Sequence, residues 1–269
     1  MCKPTCIYFV VLMAVVLLVN LSGVAQAVDG VVLIDQNRAL AGNVTPGDAP
    51  GFPVTISRPG SYRLSGNLTV PDIDTNAIEV LADNVALDLN GFSIIGPAVC
   101  STDPASPAVC EGSGKGIGVF YVFAGEINHK GNLTVSNGTI TGMGDGGIAA
   151  GVNSYIEKVR AIGNRRVGIA VNSGVVINNI ASGNGVVGIL VEDGVVTGNA
   201  ANRNGSWGIF AVHGNMVFGN VASTNGDVGL ALGDSTGYSN NVLRDNRGGA
   251  QVRQGRQMGG NVCGNALCP

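Results

Sequence analysis

The sequence predicts an all-β chain, a right-handed parallel β-helix (solenoid) of about eight coils with N- and C-terminal caps. Three observations predict it. Glycines recur at Gly147, Gly168, Gly188, Gly208, Gly229 and Gly249, in steps of 21, 20, 20, 21 and 20 residues, and each opens a short apolar strand such as GIAV or GILV. Two rows of asparagine keep step with them: Asn179, Asn199, Asn220, Asn241 and Asn261, and Asn164, Asn184, Asn204, Asn225 and Asn246. No helical period runs through these repeats. A repeat this short cannot bury an apolar face alone, so each must stack on its neighbours to make a continuous core.

The 269 residues divide in order. Residues 1–27 read as a signal peptide: Lys3 gives a positive start, Ile7 to Val19 an apolar run, and Ala25-Gln26-Ala27 a small-residue cleavage site. Cys2 and Cys6 would leave with it, and the mature chain would be secreted or periplasmic, with no membrane contact after signal removal. Residues 28–76 lack the repeat and read as the N-terminal cap. Residues 77–255 read as the β-helix, beginning with the coil from Ala77 to Pro97, whose turns fall at Ala82-Asp83-Asn84 and Asn90-Gly91. Residues 256–269 read as the C-terminal cap, which an open helix end needs because its strand edges and apolar interior invite association.

Within a coil, strand alternation puts the first and third residues after the repeat glycine on one face. Ile169 and Val171, Ile189 and Val191, Ile209 and Ala211, and Leu230 and Leu232 are thereby inward, with Ala170, Leu190, Phe210 and Ala231 outward. Stacked coils lie about 4.8 Å apart, so corner amides one coil apart can bond to each other and to turn backbone. The asparagine rows are read as structural for that reason.

Four cysteines follow the leader: Cys100, Cys110, Cys263 and Cys268. An even count in an exported chain points to disulfides, and of the three possible pairings the local one is favoured. Cys100 and Cys110 flank the loop STDPASPAV, and Cys263 and Cys268 bracket the last turn. A zinc site would want histidine or tighter cysteine pairs.

The G-I-x-V strands, the asparagine rows and the coil LDLNGFSI resemble those of secreted right-handed parallel β-helix repeat proteins of the pectate-lyase-like superfamily, over roughly residues 77 to 263. The segment from Asn37 to Val70 is similar to that of bacterial members of the group. The resemblance implies the fold and a bacterial source, and leaves activity open, because the fold hosts lyases, hydrolases, epimerases and adhesins. The N-T-D strand and D-D pair of polygalacturonase-like members and the D-P-H of epimerase-like members do not occur here. With only His129 and His213, and no His- or Met-rich tract, neither a metal nor another cofactor is expected.

One column carries the candidate chemistry. Ser173, Asp193, His213, Asp234 and Gln254 each stand five residues after a repeat glycine, which would set His213 between aspartates on adjacent coils. Such a set can orient an imidazole, bind a cation or grip sugar hydroxyls. Glu192 adjoins it, and Phe210 and Leu190 face outward nearby, where a sugar ring could dock. The competing reading is turn chemistry, since S-G, D-G and H-G dipeptides suit a corner. Arg160, Arg165, Arg166, Arg244, Arg247, Arg253 and Arg256 read as solvated surface, and Trp207 as a packed member of its row. The net charge of −3 gives no footprint for nucleic acid. The resulting expectation is a monomeric exported scaffold with a polysaccharide or cell-surface partner along its side; the alternative is a small polysaccharide lyase or hydrolase.

Overall fold

A computed structural model describes residues 30–101, 103, 105–122 and 131–268. The leader and His129 lie outside the described residues. The chain divides into two compact units, Met1–Val31 and Val32–Pro269. The second is a parallel β-helix.

Three columns of strands run through it, each made of one strand per coil hydrogen-bonded in parallel to the equivalent strand of the next. The first column begins at Val54–Ile56 and ends at Val252–Arg253. The second runs from Gly60–Leu64 to Arg256–Gln257, and the third from Leu68–Thr69 to Val262–Cys263. Parallel crossovers of this kind take the right-handed sense. The period sets the register: Val167, Ile169 and Val171 pair with Val187, Ile189 and Val191, which pair in turn with Trp207, Ile209 and Ala211. Inward side chains form stacked aliphatic rows, and Ile169, Ile189, Ile209 and Leu230 are fully buried. Rows of Val176, Val196 and Val217 from the second column and Ala181, Ala201, Ala222 and Leu243 from the third complete the core. Ala231, read as outward, is buried, since it lies in register between the larger Phe210 and Arg253.

The solenoid has about ten turns where about eight were expected. The difference lies at the ends. Val54–Ile56, Gly60–Leu64 and Leu68–Thr69 pair in parallel with the coil from Ile78 to Ile95, so the segment read as an N-terminal cap already contains a coil. It carries neither repeat glycine nor row asparagine, which is why the period did not reveal it. Ahead of it, the strand Val31–Ile34 and a six-residue helix, Gln36–Ala41, close the end. Asp35 caps that helix by accepting from the Arg38 N–H at 2.9 Å. Buried Asp48 braces the segment by accepting from the Val44 and Thr55 N–H groups at 2.9 and 2.7 Å. At the other end, Arg256–Gln257 and Val262–Cys263 extend two columns before Ala266–Leu267 folds back antiparallel. The last repeat also slips. Val252, three residues past Gly249, pairs with Leu230, one residue past Gly229.

Both asparagine rows form continuous buried ladders. In the first, each Oδ1 accepts from both the backbone N–H and the side-chain amide of the asparagine one coil earlier, at 2.9–3.1 Å from Asn179 through Asn261. The side-chain nitrogen also donates to a carbonyl of the preceding coil, as Asn220 does to Val196 at 2.9 Å. Asn164 through Asn246 repeat the pattern. Each ladder ends on a glutamine: the Asn246 amide donates to Gln251 Oε1 at 2.6 Å, and that of Asn261 to Gln257 Oε1 at 3.1 Å.

Disulfides join Cys100 to Cys110 and Cys263 to Cys268. Cys268 is buried against the last coil, and its N–H donates to the Asn261 carbonyl at 2.9 Å.

Candidate functional site

The corner between the first and second columns changes character along the stack, and the candidate column sits at the change. In the coils of Val167–Ile177 and Val187–Thr197 the strand continues through the corner without a break. Gly174 and Gly194 make this possible: both have φ of 152°, and a Cβ on either would run into backbone of the coil before. One coil later the glycine position is taken by Asn215, an extra residue enters, and the strand splits into Trp207–Ala211 and Met216–Phe218. His213 and Gly214 bulge from the break and are exposed.

Asp193, His213 and Asp234 do occupy successive coils at one position, because Ala211 pairs with both Val191 and Leu232 two residues earlier in each chain segment. All three are exposed, as is Glu192, and Phe210 is half-buried. Their polar contacts run to the turns. The Gly214 N–H donates to Asp193 Oδ1 at 3.2 Å, and the Gln254 amide donates to Asp234 Oδ1 at 3.1 Å. The His213 N–H donates to the Glu192 carbonyl at 2.8 Å, while the His213 carbonyl accepts from Asn215 and from the Thr236 hydroxyl. Among the described residues, no hydrogen bond or ion pair joins the His213 imidazole to either carboxylate. Ser173 pairs in register with Asp193 and begins the column. Gln254 does not share its register, owing to the slip in the last coil, yet it reaches Asp234 by its side chain. Among the described residues, no cluster of three or more His, Cys, Asp or Glu side chains is disposed to hold a metal ion.

Beside the column runs the outward row of the first strand column: Phe120, Ala149, Ala170, Leu190 and Phe210 lie in register on consecutive coils. The alanines leave a shallow trough, about 210 Å3, edged by Leu190 and Glu192. Trp207 packs its ring on Phe210, centroids 4.7 Å apart, and its indole N–H donates to Asp227 Oδ2 at 2.9 Å. Asp227 also pairs with Arg253 at 2.8 Å, and Asp145 with Arg166 at 3.0 Å. These arginines therefore tie neighbouring coils together at the surface.

The sequence marks the loop between Cys100 and Cys110 and its disulfide, but not the path this insertion takes over the coils. The insertion is a hairpin laid lengthwise across the coils. The Ala98 N–H donates to the Gly142 carbonyl at 2.7 Å, the Ala108 N–H to the Arg203 carbonyl at 2.8 Å, and Arg247 donates to the Ala105 carbonyl and the Ser106 hydroxyl at 3.1 and 3.2 Å. Gly185 and Gly205 permit the contact, since a Cβ there would crowd the Cys110 sulfur and the Ala108 carbonyl. Arg247, read as solvated, is thus a clamp on this strap.

No family model matches the chain, and no curated protein does. Two solved structures are similar. The A-module of mannuronan C-5 epimerase AlgE6 from Azotobacter vinelandii gives a TM-score of 0.53 at 15% identity, over 76% of this chain and 68% of that one. The enzymatically active domain of tailspike protein 2 of bacteriophage CBA120 gives 0.49 at 12% identity, over 78% of this chain and 37% of that one. The likeness to the first is one of fold, and with the strand pairing it identifies the chain as a parallel β-helix protein.

Proposed function

We propose that this protein is an exported β-helix scaffold that binds a polysaccharide along the edge between its first and second strand columns. One observation carries the reading: Asp193, His213 and Asp234 stand exposed on consecutive coils, beside Glu192 and the outward Leu190–Phe210 row. Coils repeat at about 4.8 Å, a spacing comparable with one pyranose residue, so a glycan lying along the axis would meet one polar side chain per sugar. The trough floored by Ala149 and Ala170 leaves room for a sugar's C–H face, and carboxylate and imidazole groups pair with its hydroxyls. The epimerase module of the same fold is named for its action on mannuronan, which is in keeping with a polysaccharide ligand. Two disulfides fit an oxidising compartment outside the cytosol.

A glycan array followed by titration of the best ligand tests the reading. An Asp193→Ala, His213→Ala double variant should weaken binding at least tenfold while its circular dichroism is unchanged. Undiminished binding in that variant would return the column to turn chemistry alone. Unsaturated or reducing-end products accumulating with the wild type and not with the variant would make the protein a small polysaccharide lyase or hydrolase instead.

A further inference from the structure

The strap and the outer face of the third column enclose an open-sided cleft of about 340 Å3, well away in the coil from the Asp193 edge. Thr141, Ile162, Ser182 and Arg203 form its floor on four consecutive coils, and Val99 and Ala108 of the strap face them. We propose that this cleft binds a small polyhydroxylated monocarboxylate, whose carboxylate is received by Arg203.

The chemistry of the lining sets the ligand class. Arg203 donates to the Ser182 hydroxyl at 3.3 Å, and among the described residues no carboxylate forms an ion pair with it. A guanidinium against apolar walls presents a planar fork that matches a carboxylate. Its root is fixed. Arg203 has a left-handed φ of 56°, its N–H donates to the Ser223 carbonyl at 2.9 Å, and its own carbonyl holds the strap through Ala108. Thr141 and Ser182 offer hydroxyls to the ligand's body, while Ile162, Val99 and Ala108 suit its C–H face. Asp103 stands at the strap's lip, its carboxyl held below the usual range by the Ser106 hydroxyl and the Ala105 N–H, so it stays ionised near neutral pH. A second negative charge on the ligand would meet it, which favours one carboxylate over two. The volume accommodates a six-carbon acid. The disulfide holds the roof in place, so the cleft depends on the oxidised strap. None of this depends on the glycan-edge reading.

Amide chemical shifts of the folded protein, titrated with gluconate, glucose, glucarate and sulfate, test the proposal. Gluconate should shift the Ile162, Gly163, Ser182 and Arg203 amides saturably in the millimolar range. Glucose, which lacks the charge, and glucarate, which doubles it, should bind at least tenfold more weakly. Arg203→Asn should remove the preference for gluconate and Arg203→Lys should retain part of it; asparagine tolerates the left-handed backbone, so the remaining amides should stay in place. A Cys100→Ser, Cys110→Ser variant should weaken gluconate binding at least tenfold with coil amides unmoved, whereas Asp193→Ala, His213→Ala should leave it unchanged. The proposal is overturned by absence of saturable shifts in the cleft, by gluconate binding that survives Arg203→Asn, or by equal binding of gluconate and glucose. Equal shifts with sulfate would mean a nonspecific anion site and would overturn it as well.

Discussion

At the scale of single residues, the row asparagines are the clearest case of a side chain chosen by backbone need. Asn220 Oδ1 accepts from the Asn199 backbone and side chain, and its Nδ2 donates to Val196, Phe218 and Asn241. Replacing it with leucine leaves a buried donor at Asn199 and a buried carbonyl at Val196 without partners, each costing about 1–3 kcal/mol. Asn220→Leu should therefore destabilise the protein by about 3 kcal/mol in urea unfolding, and a loss under 0.5 kcal/mol would show that solvent or neighbouring groups replace the amide. A second residue-scale effect is alkaline. Burial, and then its hydrogen bond to Asp83 at 2.5 Å, push Tyr121 from its ordinary value near 10 up to about 12. A raised folded-state value means that stability is fully present below pH 10 and is lost as pH rises through 12. Burial raises Tyr62 and Tyr238 in the same direction. Tyr121→Phe should flatten the fall in melting temperature across that window. An unchanged slope would assign the alkaline loss to the other tyrosines.

At the scale of elements, the legibility of the fold divides along one physical line. Coils from Gly147 onward were readable because identical positions contact each other 20 or 21 residues apart, which leaves a period in the sequence. The first coil, held by buried aliphatics and Asp48, and the strap, held by pairs such as Ala108–Arg203 and Arg247–Ala105, leave no such trace. The candidate column was legible as far as register: Asp193, His213 and Asp234 fall on successive coils. The break at Asn215, which makes His213 protrude, was not, since nothing in the repeat marks where a corner glycine is dispensable. The strap makes its own prediction. Its disulfide closes a short hairpin whose remaining anchors lie far away in sequence, so its contribution should be local. In the Cys100→Ser, Cys110→Ser variant, hydrogen exchange should quicken at the Ala108 and Val109 amides while coil melting moves by no more than about 2 °C. A larger fall would mean that the strap fastens the coils to one another and does more than roof the cleft.

For the molecule as a whole, stability should behave as a sum over coils and the interfaces between neighbours, with the ends protected by different devices. The N-terminal end is covered by a helix and a strand. The C-terminal end is covered by the last coil, its antiparallel return, the Cys263–Cys268 bond and the glutamines that terminate both ladders. Deleting residues 249–269 removes all four of these at once. It would expose the free edges of Leu230–Leu232, Gly237–Ser239 and Val242–Arg244, and would remove the Asn261 and Gln251 acceptors of Asn241 and Asn246, leaving their side chains only the carbonyls of the coil before and, for Asn241, that of Ser239. Unpaired strand edges recruit other strands, so the truncated chain should keep its strand-type circular dichroism yet form concentration-dependent oligomers by light scattering, where the intact chain is expected to be monomeric. Only one inter-coil interface is lost, so the remaining coils should still unfold cooperatively, at a lower denaturant midpoint. A truncated chain that stays monomeric with an unchanged midpoint would show that the coil from Leu230 to Arg244 closes the solenoid by itself. Complete unfolding on truncation would show that the last coil holds the whole stack in place, which a nearest-neighbour sum does not allow.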